Sequence, residues 1–441
     1  MTTQANDAVA DISMATIWKE RKLKFLAKVR PSNVDKHIVD SEIPVSLCNY
    51  TDVYYNEHIT SDLPFMQVTA TESEIQRFGL KEGQVLLTKD SESWDDIAVP
   101  ACVAETMSNV VCGYHLAIVD PCDSEMSGRF LGWLARSPAL NDQFKLAAKG
   151  VTRFGLSQYA LKNAVVKIPP LPYQQKIADF LDRKTAEIDS LIAKKRRLLD
   201  LLAEKRTALI TRAVTKGLNP NVPMKDSGIE WLGEIPAHWS VPLLRYLAEV
   251  RGGVTKGRKL SELETIEVPY LRVANVQDGF LDLGDIKNIE VSISEFTQYS
   301  LQHGDVLMNE GGDNDKLGRG AVWRGEIEPC LHQNHIFAVR PKTPNLSEWL
   351  ALLTQSKHGK HYFWMTAKQS TNLASISSSN IKRLPVILPP ESERTAIVDY
   401  AKKELNRFDV QNEKISLAIS KLEEYRSALI TNAVTGQIKV A

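Results

Sequence analysis

The chain is written twice. Laying residues 169–217 over 389–437, a shift of 220 positions without a gap, gives 16 identities in 49. The agreement is densest at the end, where RTALITRAVT (206–215) meets RSALITNAVT (426–435) with eight identities in ten. Weaker similarity precedes each copy. Trp18, Leu23, Leu26, Ala27, Val29 and Arg30 correspond to Trp239, Leu244, Leu247, Ala248, Val250 and Arg251, GQVL (83–86) to GDVL (304–307), and His115 to His335. A repeat constrains the fold before any local motif does, because similar sequences must build similar units. The order is therefore A–h–A′–h′, two divergent globular parts each followed by a closely similar segment. The A parts differ far more than the h parts, as a shared frame carrying two readers of different targets would require.

Both h segments read as long helices. Glu, Lys, Leu, Ala and Arg dominate them, their interiors lack Gly and Pro, and each follows a Pro-Pro pair. Leu181, Ile188, Leu202 and Leu209 share one heptad position, interrupted by Lys195, and Ala401, Phe408, Ile415, Leu422 and Leu429 share its counterpart. At 1.5 Å per residue such a helix reaches roughly 60 Å, and its apolar stripe needs a partner. The simplest partner is the other copy, packed antiparallel about a pseudo-twofold axis with the A parts at opposite ends; intermolecular coiled-coil packing is the alternative. Lys194, Lys195, Arg196 and Arg197 form either a solvated face or a line of phosphate contacts.

The A parts read as mixed α/β. QVLLT (84–88), YHLAIV (114–119), VLMN (306–309) and HIFAVR (335–340) are β-type runs, and each part then has a helical stretch with a tryptophan, Trp133 or Trp349. The expected boundaries are an N-terminal tail 1–17, A at 18–168, h at 169–217, a polar connector 218–238, A′ at 239–388 and h′ at 389–441. Lys plus Arg equals Asp plus Glu, 54 against 54, which weighs against a large self-sufficient nucleic-acid binder. The local excess lies in residues 169–217, with 11 basic and 6 acidic groups. Five cysteines without a CxxC pair argue for a reducing compartment. No apolar run approaches the roughly 18 residues of a membrane span, and no signal peptide is evident in the first seventeen residues, so a cytoplasmic protein is expected.

The repeat, the long helices after Pro-Pro, the LITxAVT endings and the connector DSGIEWLGEIPAHW (226–239) resemble the specificity subunit of type I restriction–modification systems. GDVLMNEGGDNDKLGRGAV (304–322) and NLASISSSNIKRLPVILPP (372–390) also look like family segments, whereas the first copy reads GQVLLTKDSESWDDIAV (83–99) without the glycines. The resemblance implies an α/β fold class: two target recognition domains joined by two long antiparallel coiled-coil helices in a pseudo-twofold repeat. Each domain would read half of a bipartite, asymmetric double-stranded DNA target. The helices would set the spacing and dock two methyltransferase subunits and up to two restriction–translocase subunits. S-adenosylmethionine, ATP and Mg would belong to those partners, so this chain is expected to be non-catalytic and to hold no cofactor or metal.

The residues agree with that division of labour. There is no GxGxxG after a strand, no P-loop, no HExxH and no Asn/Asp-Pro-Pro-aromatic motif. Gly311, Gly312, Gly318 and Gly320 fit no nucleotide motif and read as a DNA-facing loop. Cys330, His332 and His335 have zinc-like spacing but alternate along a strand, and the repeated His115/His335 reads as a buried structural histidine. Candidate DNA contacts are Lys89, Ser91, Lys149, Arg153 and Gln158 in the first part and Asn314, Lys316, Arg319, Lys368, Ser370, Thr371 and Asn372 in the second. Basic side chains suit phosphates or guanine and Asn suits adenine. The helix ends, Arg206, Leu209, Ile210 and Thr211 with Arg426, Leu429, Ile430 and Thr431, are the candidates for partner docking; the alternative is self-packing against their own A parts. A coiled-coil scaffold binding protein partners is the competing function.

Overall fold

A computed structural model describes residues 18–257, 264–312, 317–369 and 374–440. The expected helices run Leu171–Lys216 and Glu391–Val434, 46 and 44 residues long. Each ends at a glycine in the left-handed region, Gly217 at φ 71° and Gly436 at φ 74°. A tryptophan ring closes over each glycine. A Cβ on Gly217 would come within 3.1 Å of Trp239, and one on Gly436 within 2.8 Å of Trp18. The repeated Trp and the helix-ending glycine therefore form one joint, made twice.

Packing divides the chain into two units. The first takes residues up to Lys195 together with those from Leu417 onward, and the second is Arg196–Ser416. Each unit thus contains a stretch of both long helices, and in each the stretches run antiparallel. In the second unit Arg206 meets Asp409 while Gly217, further along, lies beside Glu393. In the first, Asp189 meets Arg426 while the earlier Tyr173 and Ile177 share a cavity with Thr435 and Gly436.

The globular parts repeat one topology. The first unit has a sheet ordered Ala27–Pro31, Leu116–Pro121, Val85–Thr88, Pro100–Val103, His58–Ile59, and the second a sheet ordered Ala248–Arg251, Ile336–Pro341, Val306–Asn309, Gly320–Val322. A further sheet in each places Met66–Ala70, Ile43–Cys48, Met107–Cys112 and Gly79–Leu80 side by side, or Lys287–Ser292, Thr265–Leu271 and Leu331–His332. The four apolar runs expected as strands are strands. Val85–Thr88 and Val306–Asn309 are buried along their whole length, which is why they read as continuous apolar runs rather than alternating ones. The tryptophan helices are Gly128–Arg136 and Ser347–Gln355, but the two indoles bond differently: Trp133 Nε1 donates to Asp182 at 2.6 Å and Trp349 Nε1 to the Ile387 carbonyl at 2.7 Å.

The long helices are part of the core. Ile210, Ala213 and Val214 join Trp239, Trp349, Leu350, Ile397 and Ala401 in one cluster of the second unit. Fully burying an Ile-sized side chain is worth about 1.5–3 kcal/mol, so this joint contributes substantially to the unit's stability.

Candidate nucleic-acid interface

In the first unit, strand Val85–Thr88 leaves the sheet and continues as the two-residue strand Asp90–Ser91. This pairs antiparallel with Phe154–Gly155, and Lys149 bridges to Gly155. The small ribbon brings Lys89, Ser91, Lys149 and Arg153 together at one corner. Lys89 Nζ meets Asp90 at 2.9 Å, His115 Nδ1 meets the same carboxylate at 3.0 Å, and Arg153 Nη2 lies within 3.1 Å of both His115 ring nitrogens. Partial burial raises the Asp90 carboxyl, but hydrogen bonds from His115 and Lys89 outweigh it and hold the group below the usual carboxylate range. Lys149 and Arg153 are exposed, whereas Ser91 is buried and its hydroxyl accepts the Ser93 N–H. Gln158 is not part of this network: its Nε2 donates to the Val29 carbonyl at 3.0 Å.

The second unit builds the same corner with other side chains. Gly311–Gly312 pairs with Ala374–Ser375, which pairs with Lys368–Gln369. Lys368 is exposed, and Arg319 Nη1 donates to Gln277 Oε1 at 3.0 Å. Asn314, Lys316, Ser370, Thr371 and Asn372 lie outside the described residues. Two of the four glycines have packing reasons rather than a ligand-facing one. A Cβ on Gly318 would fall 2.1 Å from Phe363, and one on Gly320 would fall 2.4 Å from Thr354.

The helix-end residues are used inside their own units. Arg206 pairs with Asp409 at 2.6 Å; Arg426, at the matching repeat position, pairs with Asp189 at 2.9 Å and also with Glu57 at 2.8 Å, its guanidinium carbon 5.9 Å from the Trp133 ring centre. Ile210, Leu429 and Ile430 are buried and Leu209 is half-buried. Thr211 accepts the Lys357 N–H at 2.9 Å, and Thr431 donates to the Ser427 carbonyl. Self-packing alone is thus a sufficient cause for their repetition. Arg426→Ala should cost about 1.5–3 kcal/mol, since it strips charged hydrogen bonds from two carboxylates. Arg206→Ala, which breaks one pair with a largely exposed Asp409, should cost about 0.2–1 kcal/mol. Thermal unfolding of the two variants checks the contrast, and equal losses would refute it.

Cys330 and His332 are buried while His335 turns outward to Glu310, so the zinc-like trio does not converge. Among the described residues no group of three His, Cys, Asp or Glu is placed to hold a metal ion. His335 also departs from the expectation of a buried histidine: its side chain is 55% exposed, against 13% for His115.

Residues 47–199 and 236–420 match the family described as the type I restriction modification DNA specificity domain. The chain belongs to this family. Each matched stretch of the specificity domain crosses one globular part and enters the long helix after it, the same unit of repetition seen in the sequence. Similar proteins include the type I restriction enzyme EcoKI specificity subunit of Escherichia coli, 25% identical over 278 residues, or 62% of this chain and 57% of that one. The MjaIX specificity subunit of Methanocaldococcus jannaschii is 21% identical over 451 residues, 96% of this chain and 94% of that one. This chain therefore spans little more than half the length of the Escherichia coli relative it matches. A chain from a structure of complex assembly and conformational transition in the type I R-M system has the same fold, with a TM-score of 0.65 over 95% of this chain and 97% of its own at 16% identity.

Within this specificity-domain fold, Asp90, Glu57 and Glu310 were not among the residues singled out from sequence. Glu57 had no signal, because it meets Arg426 across 369 positions. Asp90 and Glu310 had one: each lies just past a buried strand and beside a histidine that the repeat retains.

Proposed function

We propose that the chain is the DNA-specificity subunit of a type I restriction–modification complex, acting in the cytoplasm on double-stranded DNA. Each unit reads one half of a bipartite, asymmetric sequence. The observation that supports this best, beside family membership, is the ribbon corner: one backbone frame made twice and dressed with different polar side chains. Two unrelated half-sites require such a pair. Lys149, Arg153 and Lys368 are exposed and suit phosphate or guanine contacts; Lys89, held by Asp90, shapes the first corner.

The chain itself recognises and does not catalyse. Two methyltransferase subunits and up to two restriction–translocase subunits supply adenine methylation, ATP-driven movement and cleavage, bringing S-adenosylmethionine, ATP and Mg with them. They dock on the solvent-facing side of the helix ends around residues 206–211 and 426–431, whose inner side chains hold the unit together. The long helices set the separation of the half-sites. Neutral overall charge fits a subunit that shares its grip on DNA with partners.

The test is an adenine-methylation map of cells with and without the gene. Loss of one split motif, two short half-sites around a fixed gap, is expected. An unchanged map in cells that express both the chain and a methyltransferase partner would overturn the proposal.

A further inference from the structure

The two corners hold a histidine at the same point of the frame and use it differently. In each, the residue after the buried strand donates its N–H to the histidine carbonyl at 2.9 Å: Lys89 to His115 and Glu310 to His335. In the first unit the ring is enclosed. Asp90 and Arg153 take its nitrogens, Tyr114 packs on it with ring centres 3.6 Å apart, and the Arg153 guanidinium lying on it is exposed, as is Lys149.

In the second unit the ring itself is the exposed group. His335 lies in the turn just before strand Ile336–Pro341, and its side chain is 55% exposed. An ionised carboxylate only accepts, so His335 Nδ1 donates to Glu310 Oε2, at 2.6 Å. That bond fixes the ring and directs Nε2 away from Glu310, with no protein partner among the described residues. Glu310 runs directly into the Gly311–Gly312 strand, two strands from exposed Lys368 in the ribbon. The result is one oriented nitrogen on a side chain with two rotatable bonds, at the corner where the first unit presents an arginine. A chance surface ion pair would not account for a histidine kept at this point in both copies while the acid that binds it shifts from Asp90 to Glu310, one place along the frame.

We propose that His335, positioned by Glu310, contacts the DNA half-site read by the second unit through Nε2. This rests on the recognition reading above. The partner atom is a base-edge donor where the ring is neutral, since Nε2 then only accepts, or a phosphate oxygen where the ring is protonated and Nε2–H donates, and the two sources behave differently. A base contact costs affinity at one base pair and relaxes preference there. A phosphate contact weakens binding for all sequences alike and lowers the salt-dependence slope by about one.

The experiment uses the full chain assembled with its methyltransferase subunits. Binding to duplexes carrying the mapped motif, and to duplexes with each base pair changed in turn, is measured across salt concentrations for wild type, His335→Ala, His335→Gln and Glu310→Gln. His335→Ala should lose on the order of tenfold in affinity. Discrimination at the first half-site should stay at the wild-type level, and Glu310→Gln should give a smaller loss of the same pattern. His335→Gln preserves the bulk of the side chain and serves if the alanine variant folds poorly. Wild-type affinity, base preference and salt slope in both His335 variants would overturn the inference while leaving the recognition reading intact. Absence of any split-motif preference in the wild-type assembly would instead remove the recognition reading, and this inference with it.

Discussion

Replacing residues 18–168 with the corresponding segment of another family member is expected to change one half of the recognised split sequence and leave the other half unaltered. The fold supplies the reason. The segment begins on strand Lys19–Lys22 and ends on Val165–Ile168, and these pair antiparallel with Lys19 opposite Ile168. Its two ends are neighbours, so a graft enters and leaves the frame at one place. The second unit closes likewise, with Ser240 opposite Leu388 and Leu243 opposite Pro385. The joints the graft must respect include Trp18 against Gly436, Glu57 against Arg426, Arg129 and Trp133 with Asp182, Arg129 with Asp179, and Ser127 and Glu125 with Gln174. Since each mismatched base pair costs about 1–3 kcal/mol, a new reader should abolish the old half-site rather than weaken it. Sequencing of methylated sites in cells carrying the graft checks this. A motif unchanged in both halves, or altered in both, would contradict one reader per unit.

Much of this architecture was legible because its causes are local. Sixteen shared positions announce the repeat, and Ala, Leu, Glu and Lys without interior glycine announce the helices. Lys89, Ser91, Lys149, Arg153 and Gln158 read as polar or basic residues on loops of the first part, and the Asp90–Ser91 and Phe154–Gly155 ribbon gathers the first four. What escaped was set by distant packing. Gly318 and Gly320 look like a flexible loop in the sequence, yet Phe363 and Thr354 fill the space their side chains would need. Arg206 and Arg426 look equivalent, yet only Arg426 gains a Glu57, since the divergent globular parts supply the second carboxylate. The outward turn of His335 was not legible: His115 likewise precedes a wholly buried strand residue, Leu116, yet its side chain is 13% exposed against 55% for His335.

Acid is expected to destabilise the second unit ahead of the first. His332 and His358 are 1% and 4% exposed, and burial pushes both imidazoles down to about 4. His358 Nε2 donates to the Pro385 carbonyl at 3.0 Å and its ring stacks on Trp231, an arrangement that the neutral ring satisfies. In the unfolded chain a histidine titrates near 6.5. Between about pH 6.5 and 4 the unfolded chain therefore binds more protons than the folded one, and stability rises with pH across that window. The contribution is fully present above the unfolded value and is lost as pH falls through the window. A depression of this size corresponds to on the order of 3 kcal/mol per histidine, against a total near 5–15 kcal/mol for a typical domain. The first unit has buried Cys112 at the position matching His332, its thiol pushed up by burial and so neutral throughout, and no histidine in helix Pro138–Ala147. Its lowered carboxyls, Asp90, Asp95 and Glu105, hold their charge to a lower pH. Hydrogen exchange at pH 7 and pH 4.5 should show protection lost first in residues 264–312 and 317–369, and His332→Leu combined with His358→Phe should flatten that dependence. Equal loss in both units, or an unchanged profile in the double variant, would show that other groups govern the acid response.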